Sequence, residues 1–233
     1  MTSAEELRGE ISKIEQAIDA GKYRPGPWAR LLTRARAASA EDRRAISADV
    51  TRVSRKLHLR GKRKTISAPI GVIIEVAAIG LGGVFLALGI DASSNAVGIA
   101  GMAVWVAAFQ PLVKVVTGTV LGVRYDYAYL QRGEPRFKMK YGSYLARPRW
   151  ARVALHLSGA VGSPLGAYLA AMVVRGRLET TYIVATLAFW VVNAINLALL
   201  LAGALGIKQL VVSRTIETSC GAAGAEIREA IER

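Results

Sequence analysis

The sequence predicts an all-α integral membrane protein with four transmembrane helices and an N-terminal cytoplasmic helical hairpin. Three observations carry that prediction. The chain has 233 residues, 52% of them hydrophobic, yet its net charge is +14. The apolar residues gather into four runs, each longer than the roughly 18 residues at which a membrane span explains a run better than a buried soluble helix. The basic residues are concentrated between those runs rather than scattered through them. A chain half apolar is not intrinsically disordered, and Cys220, the one cysteine, excludes a disulfide scaffold.

Residues 1–66 form the first unit, a basic cytoplasmic arm. Ser3-Ala4-Glu5-Glu6 reads as a capping box, a Ser oxygen and carboxylates at the positive end of a helix. Leu7, Ile11, Ile14 and Ile18 follow at spacings of 4, 3 and 4, and Gly21 with Pro25-Gly26-Pro27 stops the helix. Trp28, Leu31 and Leu32 mark a short connecting helix. Ser39-Ala40-Glu41-Asp42 is a second start, and Ile46, Val50, Val53 and Leu57 repeat the 4, 3, 4 spacing. Each long helix thus carries a narrow apolar seam of the coiled-coil type. Helices this short need a partner in water. The seams are expected to close on each other as a hairpin, the alternative being that one stays open for a protein partner or a second copy through residues 1–60.

The spans follow at about 68–90, 96–123, 153–174 and 182–207. Lys and Arg number 16 before the first, none between the first and second, eight in residues 124–152, two after the third and four in the tail 208–233. By the positive-inside rule both termini and the 124–152 loop are cytoplasmic, which places the chain in the inner membrane. The first 20 residues are polar rather than an apolar leader, so the first span is expected to act as its own uncleaved insertion signal. The basic run Arg52 to Lys64 abuts a span, where anionic headgroups account for it; no nucleic-acid partner is expected.

Inside the spans, ionisable groups cost about 2.5–3.5 kcal/mol each on insertion scales and so need a reason. Glu75, Lys114 and His156 all fall near the cytoplasmic ends of their spans. Two arrangements follow: an interhelical Glu75–Lys114 ion pair, or a cytoplasm-facing polar cavity. Gln110 and Lys114 share a stripe beside Pro111, which frees a backbone carbonyl near Ala107. Asn193 and Asn196 share a face of the fourth span. Small residues at intervals of four (Ser158, Gly162, Gly166, Ala170, and Ala194, Ala198, Ala202, Gly206) are expected to pack the third span on the fourth.

The 124–152 loop holds five of the eight tyrosines of the chain, interleaved with cations. Arg132, Arg136, Lys138, Lys140, Arg147 and Arg149 are candidate ligands for an anionic lipid or amphiphile, with Asp126 at the cavity mouth. Gln110, Lys114, Asn193 and Asn196 complete the candidate ligand set. The sequence has no phosphate-binding glycine loop, HExxH, CxxC pair or GxSxG elbow, and its only histidines are His58 and His156. No metal or cofactor is expected, and Glu75, His156 and Asp126 are the candidate acid/base groups should the chain be an enzyme. The expected function is binding of anionic lipid or amphiphile, with assembly on a partner through the arm. The alternatives are a lipid- or isoprenoid-modifying enzyme and a small oligomeric transporter or channel.

Overall fold

A computed structural model describes residues 3–61, 64–131, 134–206, 223–224 and 227–228. It is mostly helical, 78%, and contains four helices long and apolar enough to cross a membrane. They are α5 (Ala68–Asp91), α6 (Asn95–Val120), α8 (Arg149–Val174) and α9 (Glu179–Ala204).

In the arm lie α1 (Ala4–Asp19), α2 (Pro27–Ala37), α3 (Ala40–Ala45) and α4 (Ser47–Leu59). Ser3 caps α1 by accepting from the Glu6 N–H at 3.3 Å, and Ser39 caps α3 by accepting from the Asp42 N–H at 3.0 Å. Asp42 also accepts from the Ala4 N–H at 3.0 Å, so one carboxylate joins the starts of two helices. The Ser39 hydroxyl, donating to it at 2.6 Å, holds its carboxyl below the usual range. Leu7, Ile11, Ile14 and Ile18 are buried against Leu31 and Ala35 of α2 and Ile46, Val50 and Val53. The two long helices do pack together, but α2 and α3 enter the same core, making a four-helix cluster rather than a two-helix hairpin. The second seam is broken at Ile46, which separates α3 from α4.

α6 is the hub of the long helices. Its neighbours α5 and α8 both run antiparallel to it, and α9 lies along α8. The first turn of α9 reaches α6 where the Thr181 N–H donates to Asn95 Oδ1 at 3.0 Å. Trp105 donates its indole N–H to the Ile79 carbonyl at 2.7 Å, tying α6 to α5. The small residues of α8 face α6 rather than α9: side chains at Gly162 and Gly166 would strike the backbone at Phe109–Gln110 and Trp105. On α9, Ala194 and Ala198 are exposed. The third and fourth spans do pack on each other, but the closest backbone approach of α8, at Gly162 and Gly166, is to α6.

The 124–152 segment is not a loop. It forms β2 (Tyr125–Gln131), β3 (Glu134–Met139) and α7 (Tyr141–Leu145). With β1 (Thr65–Ser67) the strands make an antiparallel sheet ordered β1-β2-β3. Pro135 sits on the edge strand β3, where its missing N–H costs no ladder bond to a further strand. The sheet packs across the first turns of α5, where the absence of a side chain at Gly71 admits Ala128 and Phe137. The sheet and α7 join the arm to the long helices at one end, while residues 92–94 and 175–178 form the short turns at the other.

Candidate functional site

The site grows from the way the arm is fastened to the sheet. In β2 residues alternate between faces from Tyr127 to Tyr129, after an irregularity between Tyr125 and Tyr127. Tyr127 is buried and its hydroxyl is 2.8 Å from His58 Nδ1, near the C-terminal end of α4. His58 also sets its ring edge-on to Tyr129, centroids 4.5 Å apart. Asp126, at the bulge between Tyr125 and Tyr127, also reaches α4 and forms an ion pair with Arg55 at 3.4 Å. From β3, Lys138 Nζ donates to Ser54 Oγ at 2.8 Å. α7 completes the attachment: the Gly142 N–H donates to Thr51 Oγ1 at 3.0 Å, and a side chain at Gly142 would strike the Ser47 carbonyl. Leu145 of α7 is fully buried within the arm core.

Between these attachments runs a cleft of about 960 Å³, walled by α4 on one side and by Gly122, the start of β2 and α7 with its flanks on the other. Seven cationic side chains line it against one carboxylate, Asp126. They divide into two sets. On the α4 wall, Arg52 pairs with Glu15 at 3.0 Å and Asp49 at 2.9 Å, Lys56 with Glu15 at 2.8 Å and Asp19 at 2.9 Å, and Arg55 with Asp126. Hydrogen bonds from Arg52 and then Lys56 hold the Glu15 carboxyl well below its ordinary value, at about 2, and raise the two cations in turn. The other set is Arg44, Arg124, Lys140 and Arg147, and none of these four has a carboxylate partner among the described residues.

Each member of that second set is fixed through its own segment. Arg44 on α3 donates to the Ala40 carbonyl at 3.2 Å. The Arg124 N–H donates to Ser143 Oγ at 2.9 Å. Lys140 is the N-cap of α7. Arg147 donates from Nε to the Ser143 carbonyl at 3.4 Å, and its guanidinium lies over Gly122, whose φ of +76° favours glycine at that turn. A side chain there would displace the guanidinium from the cleft. Arg44 and Arg147 also line a smaller cavity of about 420 Å³ that opens beside Pro148.

The sequence-derived candidates separate accordingly. Lys140 and Arg147 line the cleft; Asp126 lines it while paired to Arg55. Lys138 is turned to Ser54, Arg136 stands opposite Tyr129 in the sheet ladder, and Arg149 opens α8. Arg132 lies outside the described residues. Arg44, Arg124 and the α4 cations are the cleft residues the loop reading missed; the period-two alternation from Tyr125 to Met139 was the available signal for the hairpin that gathers them.

The polar residues of the long helices do not gather at one point. Glu75 is 2% exposed on the α5 stripe that includes Gly71 and Gly82, and no hydrogen bond or ion pair joins it to Lys114 or to another described residue. Of the two arrangements expected for these residues, the Glu75–Lys114 ion pair is not found among the described residues. The Lys114 backbone carbonyl accepts from the Tyr125 hydroxyl at 3.0 Å; burial raises that phenol above its ordinary value. His156 Nε2 is 2.9 Å from the Tyr144 hydroxyl. Gln110 lies where α6 meets Gly162 of α8, and Ser163 Oγ donates to the Val106 carbonyl at 3.0 Å, one residue before the carbonyl that Pro111 frees. Asn196 Nδ2 donates across to the Ala160 carbonyl at 2.8 Å, the very group Pro164 leaves without its helical donor. Asn193 donates back to Phe189 of its own helix at 2.8 Å.

Comparison with protein-family models, with curated proteins and with solved structures finds no match for this chain.

Proposed function

We propose that the chain is a multi-pass inner-membrane protein, arm and sheet on the cytoplasmic side, that binds an anionic lipid or amphiphile headgroup in the cleft between α4 and the sheet–α7 unit. The observation that carries this reading is the cleft itself. Its four uncompensated cations sit at the end of the long helices where the arm and sheet gather, beside the turn that closes α6. Membrane insertion is supported by the outer faces of the long helices, where Ile73, Val84, Leu88, Val161, Leu187 and Trp190 are each about half exposed or more. A surface of that extent is untenable in water and ordinary against lipid. The 16 basic residues ahead of α5 favour the cytoplasmic side for the arm.

In this reading the arm serves as a wall of the binding site. Both of its seams are covered by its own helices and Leu145, so an assembly partner would meet its outer polar faces. An enzymatic reading has less support. Asp126 is tied to Arg55, His156 to Tyr144, and Glu75 is buried on α5, so the three acid/base candidates serve separate surroundings.

Purification in mild detergent followed by mass spectrometry of the retained lipids tests the proposal. Anionic lipid is expected to be enriched over the membrane average, and Arg147→Gln with Lys140→Gln is expected to remove that enrichment. A lipid profile matching the bulk membrane would overturn it.

A further inference from the structure

Resting on that reading, we infer that the cleft takes a group carrying two phosphates, rather than the single phosphodiester of an ordinary anionic lipid. The charge ledger leads there. Arg44, Arg124, Lys140 and Arg147 face one space with no carboxylate partner of their own among the described residues, while the three cations of the opposite wall are already matched by Glu15, Asp19, Asp49 and Asp126, which lines the same space. Like charges held together repel, and a bound counter-charge relieves that repulsion. One phosphodiester brings one negative charge and would leave three of the four cations unmatched. Two phosphates bring two to four and come close to balance.

Geometry agrees with the ledger. The four cations come from four separate segments: α3, the turn between α6 and β2, the N-cap of α7, and the link between α7 and α8. Such a spread suits a ligand with two anionic centres better than a single tetrahedral ion held by one Arg fork. Three of the four are arginines, whose planar forks take phosphate oxygens in pairs. At about 960 Å³ the space is at the upper end of small-ligand sites, several-fold larger than one phosphate requires.

The shared chemistry is a paired phosphate, whether as the headgroup of an amphiphile or as a soluble diphosphate. The full chain in nanodiscs of zwitterionic phosphatidylcholine separates the sources. Calorimetric titration with inorganic pyrophosphate is expected to give binding at least tenfold tighter than inorganic phosphate, weakening as salt is raised. Arg124→Gln and Arg44→Gln, both at exposed positions that leave packing untouched, are each expected to weaken pyrophosphate several-fold. Lys13→Gln, outside the cleft, should change nothing. In a parallel arm, native mass spectrometry of nanodiscs carrying equal phosphatidylglycerol and cardiolipin should show cardiolipin, with its two phosphates, retained preferentially. Pyrophosphate binding without retained cardiolipin would support the paired-phosphate inference with a soluble source and overturn the lipid reading. Equal retention of the two lipids, with pyrophosphate no tighter than phosphate, would overturn the inference and leave the lipid reading standing. No binding in either arm would overturn both.

Discussion

Asn196 is a residue whose chemistry is set by a proline on another helix. Pro164 lacks the N–H that would reach the Ala160 carbonyl, and Asn196 supplies a donor from α9 at 2.8 Å. Asn196→Ala leaves that carbonyl unmatched in an apolar setting and should cost about 1–2 kcal/mol. A lower midpoint in detergent thermal unfolding is expected, with Asn196→Gln restoring part of it; an unchanged midpoint would show the bond to be immaterial. Gly142 is the corresponding residue at the arm. A methyl group there meets the Ser47 carbonyl, so Gly142→Ala should cost about 1–3 kcal/mol through forced separation of α7 from α4. Faster proteolytic cutting between α4 and β1, measured on the intact chain, is the expected sign. Neither role was legible from the residues alone. An Asn in a span reads as a polar anomaly until the partner proline is known to lie opposite, and a Gly reads as a breaker until another backbone is found pressed against it.

The elements divide into those whose own sequence specifies them and those specified by a neighbour. The long helices run within a few residues of the expected spans because length and apolarity alone dictate them. The cap of α1 at Ser3 and its four buried seam residues were equally local signals. The break at Ile46 and the sheet were not. Ile46 departs from the helix while the seam periodicity runs straight through it, and the short strands are stabilised only once α5 and the arm cover them. Of the site, Lys140, Arg147 and Asp126 were named from the loop composition, whereas Arg44 and Arg124 needed the fold to bring four segments together. The acid zipper between α1 and α4 gives a prediction of its own. Glu15 falls to about 2 in the folded arm from 4.5 outside it, so its contribution is complete above pH 4.5 and is lost as pH falls toward 2. Glu15→Gln should lower arm stability at pH 7 and flatten the acid limb of a circular-dichroism pH titration. An unaltered acid limb would remove Glu15 from that account. The exposed Arg34 pairs with Glu6 and Glu10 should matter far less, about 0–1 kcal/mol each.

At the scale of the molecule, charge and apolarity are sorted to different ends. The turn at residues 92–94 carries no Lys or Arg and that at 175–178 carries two, while residues 1–66 and 124–152 hold 24 of the 31. With Cys220→Ser as background, a cysteine introduced by Ser93→Cys should react with a membrane-impermeant maleimide on intact cells. One introduced by Ser3→Cys should react only after permeabilisation. The reverse pattern would invert the orientation proposed for the cleft.

Leu145 has a consequence in time. The arm is the first part of the chain to be synthesised, yet its core is closed by a side chain made only after α5 and α6. Until then a gap lined by apolar residues persists on the arm's surface. Completion of the arm therefore reports that the first two long helices have been made and the β2–β3 hairpin folded back. A chain stalled before α7 would display an open hydrophobic notch for chaperones and proteases to find, and a finished one would not.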